Sequence, residues 1–298
     1  MSEQSDARVP LSVLVPVKNE AANLRDCLAS VSFAQEIVVV DSASTDGTQA
    51  IAEASGARII DFVWDGKFPR KKNWALENIS WQNEWLLIID ADERITRELK
   101  CEIIDAIRRT DVDGFYLNRR FWFLNGWINH CGYFPSWNLR LFRHRRGRYE
   151  QIEIDNNTAS GDNEVHEHVL LNGRAEYLAA PMEHYAFPDI ATFIEKHNRY
   201  STWEAAAFTA VHSQRGERTL RATPFGTAIE RKRWLKTLAT NAPFRPGLRF
   251  LYHYLWKQGF RDGYRGWTLC RLLAWYERMI VAKEREMKQQ LRRSNATL

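Results

Sequence analysis

The chain has 298 residues, of which 45% are hydrophobic and 27% charged, with a formal net charge of +5. These proportions belong to a folded globular protein with a sizeable core, and they exclude a disordered, collagen-like or disulfide-built chain. The mild basicity suits an anionic partner such as a phosphorylated sugar or an acidic lipid head group. It does not single out nucleic acid, because the basic residues are scattered and form no single stripe.

Residues 1–10, "MSEQSDARVP", read as a flexible start. They lack the apolar stretch of a signal peptide. "LSVLVPVKNE" from Leu11 to Glu20 opens with aliphatic residues and reads as a buried strand of the parallel type. "EAANLRDCLASV" carries Leu24, Cys27, Leu28 and Val31 at helical spacing. A strand at Ile37–Val40 follows, then a polar loop in which Thr45 or Asp46 caps a helix from Thr48 that Gly56 ends. "ARIIDFVW" is a third strand, "RKKNWALENI" a helix, "EWLLIID" a fourth strand and "TRELKCEIIDAIRR" another helix. Such alternation through about Arg109 predicts an α/β fold: a mostly parallel sheet with helices on both faces. Ligands of such sheets bind beyond the carboxyl ends of the strands.

After Gly114 the texture changes. "GFYLNRRFWFLNGW" and "WNLRLFRH" read as strands rich in aromatics and arginine, and from Asp189 helices return. The expected organisation is a catalytic domain over 11–188, divided into halves 11–112 and 113–188, with a helical carboxyl-terminal extension over 189–298. No run of about 18 apolar residues occurs, so no membrane span is expected. The four cysteines, Cys27, Cys101, Cys131 and Cys270, form no CxxC pair. The expected compartment is the cytoplasm.

Carboxylates mark the strand ends. Glu20, Asp41, Asp90 and Asp92 all fall at or just past the carboxyl edge. Four apolar residues run directly into Asp90-Ala91-Asp92, so the pair ends a buried strand. There a turn can aim Asp92 at a hard divalent cation, Mg2+ or Mn2+, while Asp90 reaches a sugar or ribose. Asp41 is placed to accept from a base N–H; alternatively, it serves turn chemistry in "VVVDSASTDGT". No GxGxxG follows the early strands and no GxxxxGK[ST] exists, which disfavours a dinucleotide oxidoreductase and a P-loop enzyme. Arg140 and Arg143 suit phosphate or carboxylate recognition, and Trp122, Trp127, Tyr133 and Trp137 suit stacking on sugar rings or core packing. In "VHEH" a strand would put His166 and His168 on one face and Glu167 on the other. The tail from Gly247 to Lys288 mixes Arg and Lys with Trp, Tyr and Leu. That texture fits a membrane-interface helix or a solvated helical cap.

"LSVLVPVKNE", "VVVDSASTDGT" and "LLIIDADER", in that order, resemble the three signatures of family-2 glycosyltransferases with a GT-A fold. "RKKNWAL" is similar to the QKNxA loop of that family, with Lys71 where Gln is usual. "GWINHCGYFPSWNLRLFR", "VHEHV" and "HYLWKQGFRDGYRGW" resemble a branch that includes lipopolysaccharide inner-core β-glucosyltransferases. The resemblance implies that Pro16, Glu20, Asp41 and Lys72 line the donor pocket and that Asp90 and Asp92 hold metal and diphosphate. It also implies an inverting displacement, with Glu167 as base and His166 as its competitor. Arg140, Arg143 and Trp127 would then meet the acceptor. The implied reaction moves a hexose, glucose from UDP-glucose first among candidates, to a lipid-linked saccharide at the inner face of the cytoplasmic membrane. Two rivals are a sugar nucleotidyltransferase, which would need a glycine-rich loop absent from "PVKNEAANL", and a non-catalytic glycan- or membrane-surface-binding protein.

Overall fold

The computed structural model describes residues 8–66, 69–150, 168–213 and 244–296. Residues 1–7 of the expected flexible start lie outside the described residues, whereas Val9 and Pro10 already belong to the first strand. The chain forms two compact units, Met1–Asn129 with Tyr133–Pro188, and His130–Gly132 with Asp189–Leu298.

In the first unit, β1 (Val9–Val17), β2 (Ala34–Asp41), β3 (Arg58–Asp61) and β4 (Trp85–Ile88) alternate with α1 (Ala21–Ser30), α2 (Thr48–Ala54) and α3 (Lys71–Asn78). A two-residue β5 (Glu93–Arg94) leads into α4 (Arg97–Ala106), followed by β6 (Gly114–Trp122), β7 (Trp127–Ile128) and β8 (Trp137–Arg143). β9 (Gly147–Tyr149) and β10 (Val169–Leu171) make a small separate ribbon, and β11 (Ala175–His184) returns to the main sheet. The strand order is β3-β2-β1-β4-β8-β6-β11-β5, with β7 beside β6.

The α/β class holds, with one difference. β1 to β4 are parallel, and so are β6 and β11, but β8 runs antiparallel to both β4 and β6 and β5 runs antiparallel to β11. The parallel half is the half where helical crossovers separate the strands. A short connection lets a strand return antiparallel, and aromatic-rich strands carry no sign of their direction.

Burial explains the aliphatic run before the carboxylates. Trp85, Leu87 and Ile89 join Leu24, Cys27, Leu99 and Ile103 in the core on one face of the sheet. Leu86 and Ile88 join Ala75 and Leu76 of α3 on the other. A strand covered on both faces takes a polar residue only where a partner satisfies it, as Glu36 satisfies Ser12, and otherwise where it leaves the sheet. Thr96 caps α4 by accepting from the Leu99 N–H at 3.2 Å.

The second unit holds α5 (Ile190–Ser213), α6 (Arg245–Leu251) and α7 (Gly263–Ala296). Between α6 and α7 lie a π turn, Tyr252–Trp256, and a 3-10 turn, Gly259–Asp262. Asp189 accepts from the Thr192 N–H at 2.6 Å and so caps α5. The His197 ring lies 3.7 Å from that of Phe193 and edge-on to Tyr276, and burial lowers its pKa to about 4. Arg245 and Arg249 both pair with Glu277 of α7. The segment "GFRDGYRG" is a packing device in this unit. A Cβ on Gly266 would sit 1.9 Å from the Gly259 carbonyl oxygen, so the 3-10 turn and α7 approach backbone to backbone. Asp262 accepts from the His130 N–H at 2.9 Å and lies 2.8 Å from His130 Nδ1. No described helix is long and apolar enough to cross a membrane.

Candidate active site

Three loops meet at the carboxyl edge of β1, β2 and β4. The Asp41 carboxylate, fully buried, accepts from the Ser44 N–H at 3.0 Å and from Gln49 Nε2 at 2.7 Å. Ser44 Oγ accepts in turn from the Asn19 N–H at 2.8 Å, and Thr48 Oγ1 from the Glu20 N–H at 2.9 Å. Asp46 accepts from the Ala21 N–H and from the Thr48 N–H. The polar run after β2 therefore braces the loop after β1, and Asp41 is the hub that shapes both. Glu20 Oε2 accepts from Asn23 Nδ2 at 2.9 Å. Pro16 lies opposite Val40, one step before the Val17–Asp41 pair.

Lys71 is buried, and its Nζ donates to the Val17 carbonyl at 2.9 Å. This contact stitches the start of α3 to the end of β1. Lys72, next along, is thereby set against Asp90, with Nζ 3.2 Å from Oδ1 and above the Tyr149 ring.

Asp90 and Asp92 flank Ala91, whose side chain is buried in the core. The turn closes on itself: the Glu93 N–H donates to the Asp90 carbonyl and the Asp90 N–H to Glu93 Oε2, each at 2.9 Å. Both Asp90 oxygens are engaged, Oδ1 by Lys72 and Oδ2 by Arg140 at 2.6 Å. Burial works to raise the Asp90 pKa, but the charges of Arg140, Lys72 and Arg119 outweigh it and hold the carboxyl well below the usual range. Arg140 also reaches Glu93 Oε1 at 2.9 Å, and Arg119 lies 3.6 Å from the same oxygen.

Asp92 points elsewhere. Its Oδ1 lies 3.6 Å from His184 Nε2 at the end of β11, and its carbonyl accepts from the Tyr185 N–H at 2.8 Å. Tyr185 touches Trp122 and Trp127, whose rings are edge-on at 4.5 Å, and Arg120 lies over Trp127. Burial and a hydrogen bond to Glu183 push the Tyr185 phenol up to about 12.

The structure thus brings Asp90, Lys72 and Arg140 together, with Pro16, Glu20 and Asp41 on the same edge, while Asp92, two residues on, meets His184 and Trp127 lies one ring from that turn. Three expected site residues stand in a different setting. Asp90, expected at the metal, has one oxygen paired with Lys72 and the other with Arg140. Arg140, expected to meet the acceptor, is buried behind Asp90 and Glu93. Arg143 is not at this edge at all. It pairs with Trp85 at the start of β4, stacks on that ring at 4.7 Å, donates to the Arg109 carbonyl and bridges to Glu84. The proposed bases His166 and Glu167 lie outside the described residues. His168 is exposed at the foot of the small ribbon, with its N–H on Glu150. Glu93, Arg119 and His184 escaped the sequence reading; a histidine at a strand's carboxyl end was the available sign for the last.

Asp92 and His184 suit a divalent cation that takes few protein ligands and completes its shell with water and phosphate oxygens. Among the described residues no cluster of three His, Cys, Asp or Glu has the geometry of a metal cage. Three cations, Lys72, Arg119 and Arg140, stand with three carboxylates, Asp90, Asp92 and Glu93. An anionic diphosphate brought there would need further positive charge, which a divalent ion supplies. Arg119 Nε and Ser42 Oγ are buried here without a protein hydrogen-bond partner, donors of the kind a polar ligand satisfies.

Residues 12–161 match the model of the family "Glycosyl transferase family 2". The chain is 30% identical over 213 residues to "Lipopolysaccharide core biosynthesis glycosyltransferase LpsC" of Rhizobium meliloti, covering 66% of this chain and 71% of that protein. It is 44% identical over 94 residues to an uncharacterized glycosyltransferase of Rickettsia bellii, covering 31% of each. Among solved structures, S. aureus TarS 1-349 overlaps 96% of this chain and 92% of its own at 16% identity and a TM-score of 0.42. Glucosyl-3-phosphoglycerate synthase from Mycobacterium tuberculosis, in complex with Mn2+, UDP and glucosyl-3-phosphoglycerate, overlaps 38% of this chain and 44% of its own at 22% identity and a TM-score of 0.30. The family model spans half of the chain, including the strand-end carboxylates, and the LpsC alignment two thirds of it: the chain belongs to glycosyl transferase family 2.

Proposed function

We propose that the protein transfers a hexose, with glucose from UDP-glucose as the first candidate, to a hydroxyl of a lipid-linked saccharide such as the lipopolysaccharide inner core. The observation that carries this reading is the edge cluster, in which cations surround Asp90 while Asp92 and His184 stand beside it. The name of the Rhizobium relative supports the acceptor class. The place of action would be the inner face of the cytoplasmic membrane.

In this reading Asp92 and His184 hold Mg2+ or Mn2+, which would neutralise charge on the departing diphosphate. Lys72, kept in place by Lys71 and Asp90, faces the phosphates. Asp41 and Glu20 shape the loop walls that receive base and ribose, with Pro16 beside them. Asp90 reaches the sugar or ribose while its ion pairs fix its direction. Arg140 and Glu93 position Asp90 and do not touch substrate. Trp127 and Trp122 offer an apolar floor for the acceptor. Inversion requires one base on the acceptor hydroxyl, and Glu167 is assigned that role, with His166 as the alternative.

A donor screen with purified protein, with and without Mg2+ or Mn2+, tests the reading on membrane glycolipid extracts. Asp92→Ala should lower transfer by roughly a thousandfold while the thermal midpoint stays put. Full activity in that variant removes the metal role. Absence of both transfer and slow donor hydrolysis in the native protein would favour a non-catalytic binding protein instead.

A further inference from the structure

The second unit carries an exposed apolar surface. Along α6 and the π turn, Phe244, Leu248, Leu251, Tyr252, Leu255 and Trp256 recur at three- and four-residue spacing, and each is exposed, Trp256 at 77% and Phe244 at 86%. That spacing makes one stripe. The opposite side of the same segment is spent on the fold, since Arg245 and Arg249 bind Glu277 and His253 Nδ1 lies 2.7 Å from the Cys131 carbonyl. The stripe widens through rings. Phe250 and Tyr254 contact Trp267, and Tyr254 contacts Phe260. Phe260, Trp267 and Tyr264, the last 75% exposed, extend it onto the 3-10 turn and α7.

The charge around this surface has one sign. Residues 244–271 contain a single acid, Asp262, and its side chain is 4% exposed and turned to His130. Arg261, Arg265 and Arg271 are exposed and Lys257 half-buried; Arg271 lies 5.8 Å from the Trp267 ring and Lys257 5.6 Å from that of Tyr252. Trp and Tyr beside Arg and Lys are the side chains that settle at the boundary between acyl chains and head groups. A second copy fits poorly. A two-fold contact through this face would set the cations of one protomer against those of the other.

We propose that this face docks onto a bilayer containing anionic phospholipid, with the aromatic rings entering the head-group layer and Lys257, Arg261, Arg265 and Arg271 on the phosphates. The mode is peripheral, which agrees with the lack of a membrane-spanning helix among the described residues.

Flotation of the full chain with vesicles of phosphatidylethanolamine and phosphatidylglycerol tests this, with phosphatidylcholine vesicles as the comparison. The native protein should float with the anionic vesicles, and added salt should weaken it because exposed charges are screened over about 10 Å at 0.1 M. Trp256→Ser combined with Tyr264→Ser, both at exposed positions, should reduce binding about tenfold or more with an unchanged melting temperature. Arg261→Glu with Arg271→Glu should lose the preference for phosphatidylglycerol. Equal binding by the aromatic variant, or no binding of native protein to either vesicle, overturns the proposal. So does a native dimer that this variant turns into a monomer, since the face would then join two copies. The readout needs no donor or acceptor, so its failure and that of the transfer reading are separable.

Discussion

Arg140 and Arg143 lie three residues apart on β8, with Arg140 at the register shift that puts Leu139 and Leu141 in cores on opposite faces of the sheet. Arg140 enters a largely buried network: the carboxylates of Asp90, 32% exposed, and of Glu93, fully buried, share its guanidinium. Arg143 stands at the other end of β4, where one partner, Glu84, is 66% exposed and backbone carbonyls take much of the remaining donor capacity. The two arginines have the same side chain on the same strand. The first orients a carboxylate at the carboxyl edge of the sheet, and the second closes the opposite edge over Trp85.

The largest effect should come from Arg140→Met. It leaves Asp90 to Lys72 alone and the buried Glu93 to Arg119 at 3.6 Å, at about 3 kcal/mol, the lower end for a broken buried pair, read as a drop in the urea midpoint. A loss no greater than that of a surface substitution would mean that water reaches the network. Asp90→Asn should cost less, roughly 1–3 kcal/mol, and should change the response to acid. The native Asp90 pKa is depressed. Its contribution is therefore complete above the unfolded carboxylate value near 4, and it is lost as pH falls through the lower folded value. In Asp90→Asn that loss is absent, so the thermal midpoint should fall less steeply in strong acid; an unchanged slope would assign the acid sensitivity to other carboxylates. The smallest effect belongs to the other end of the strand. Glu84→Ala should stay within about 0.5 kcal/mol, and a larger value in the same urea experiment would erase the contrast between the two ends.

Much of the carboxyl edge was legible in the sequence. The aliphatic run ahead of Asp90 marks a strand buried on both faces, and polar residues without a partner inside the sheet begin where such a strand leaves it. Asp41 was legible for the same reason, and Asp46 as a brace for the following helix start follows from local turn chemistry. "RKKNWAL" marked a helix start, but not that Lys71 would reach back to the Val17 carbonyl.

The rest depended on distance along the chain. Arg140 meets Asp90 from 50 residues away, and His184 meets Asp92 from the last strand to join the sheet. Periodicity records which face of an element is apolar; it does not record which strand lies next to it or in what direction. The sequence by itself therefore determined the alternating parallel half, its buried strands and the carboxylates at their ends, because hydrophobic burial acts residue by residue. Only the tertiary structure decided that β8 runs antiparallel, that Asp90 is paired with cations while Asp92 turns to His184, and that Arg140 belongs to the edge of the carboxylates and Arg143 to the opposite one. Those outcomes rest on pairings between distant strands, where a carboxylate's role follows from the charges that folding places beside it.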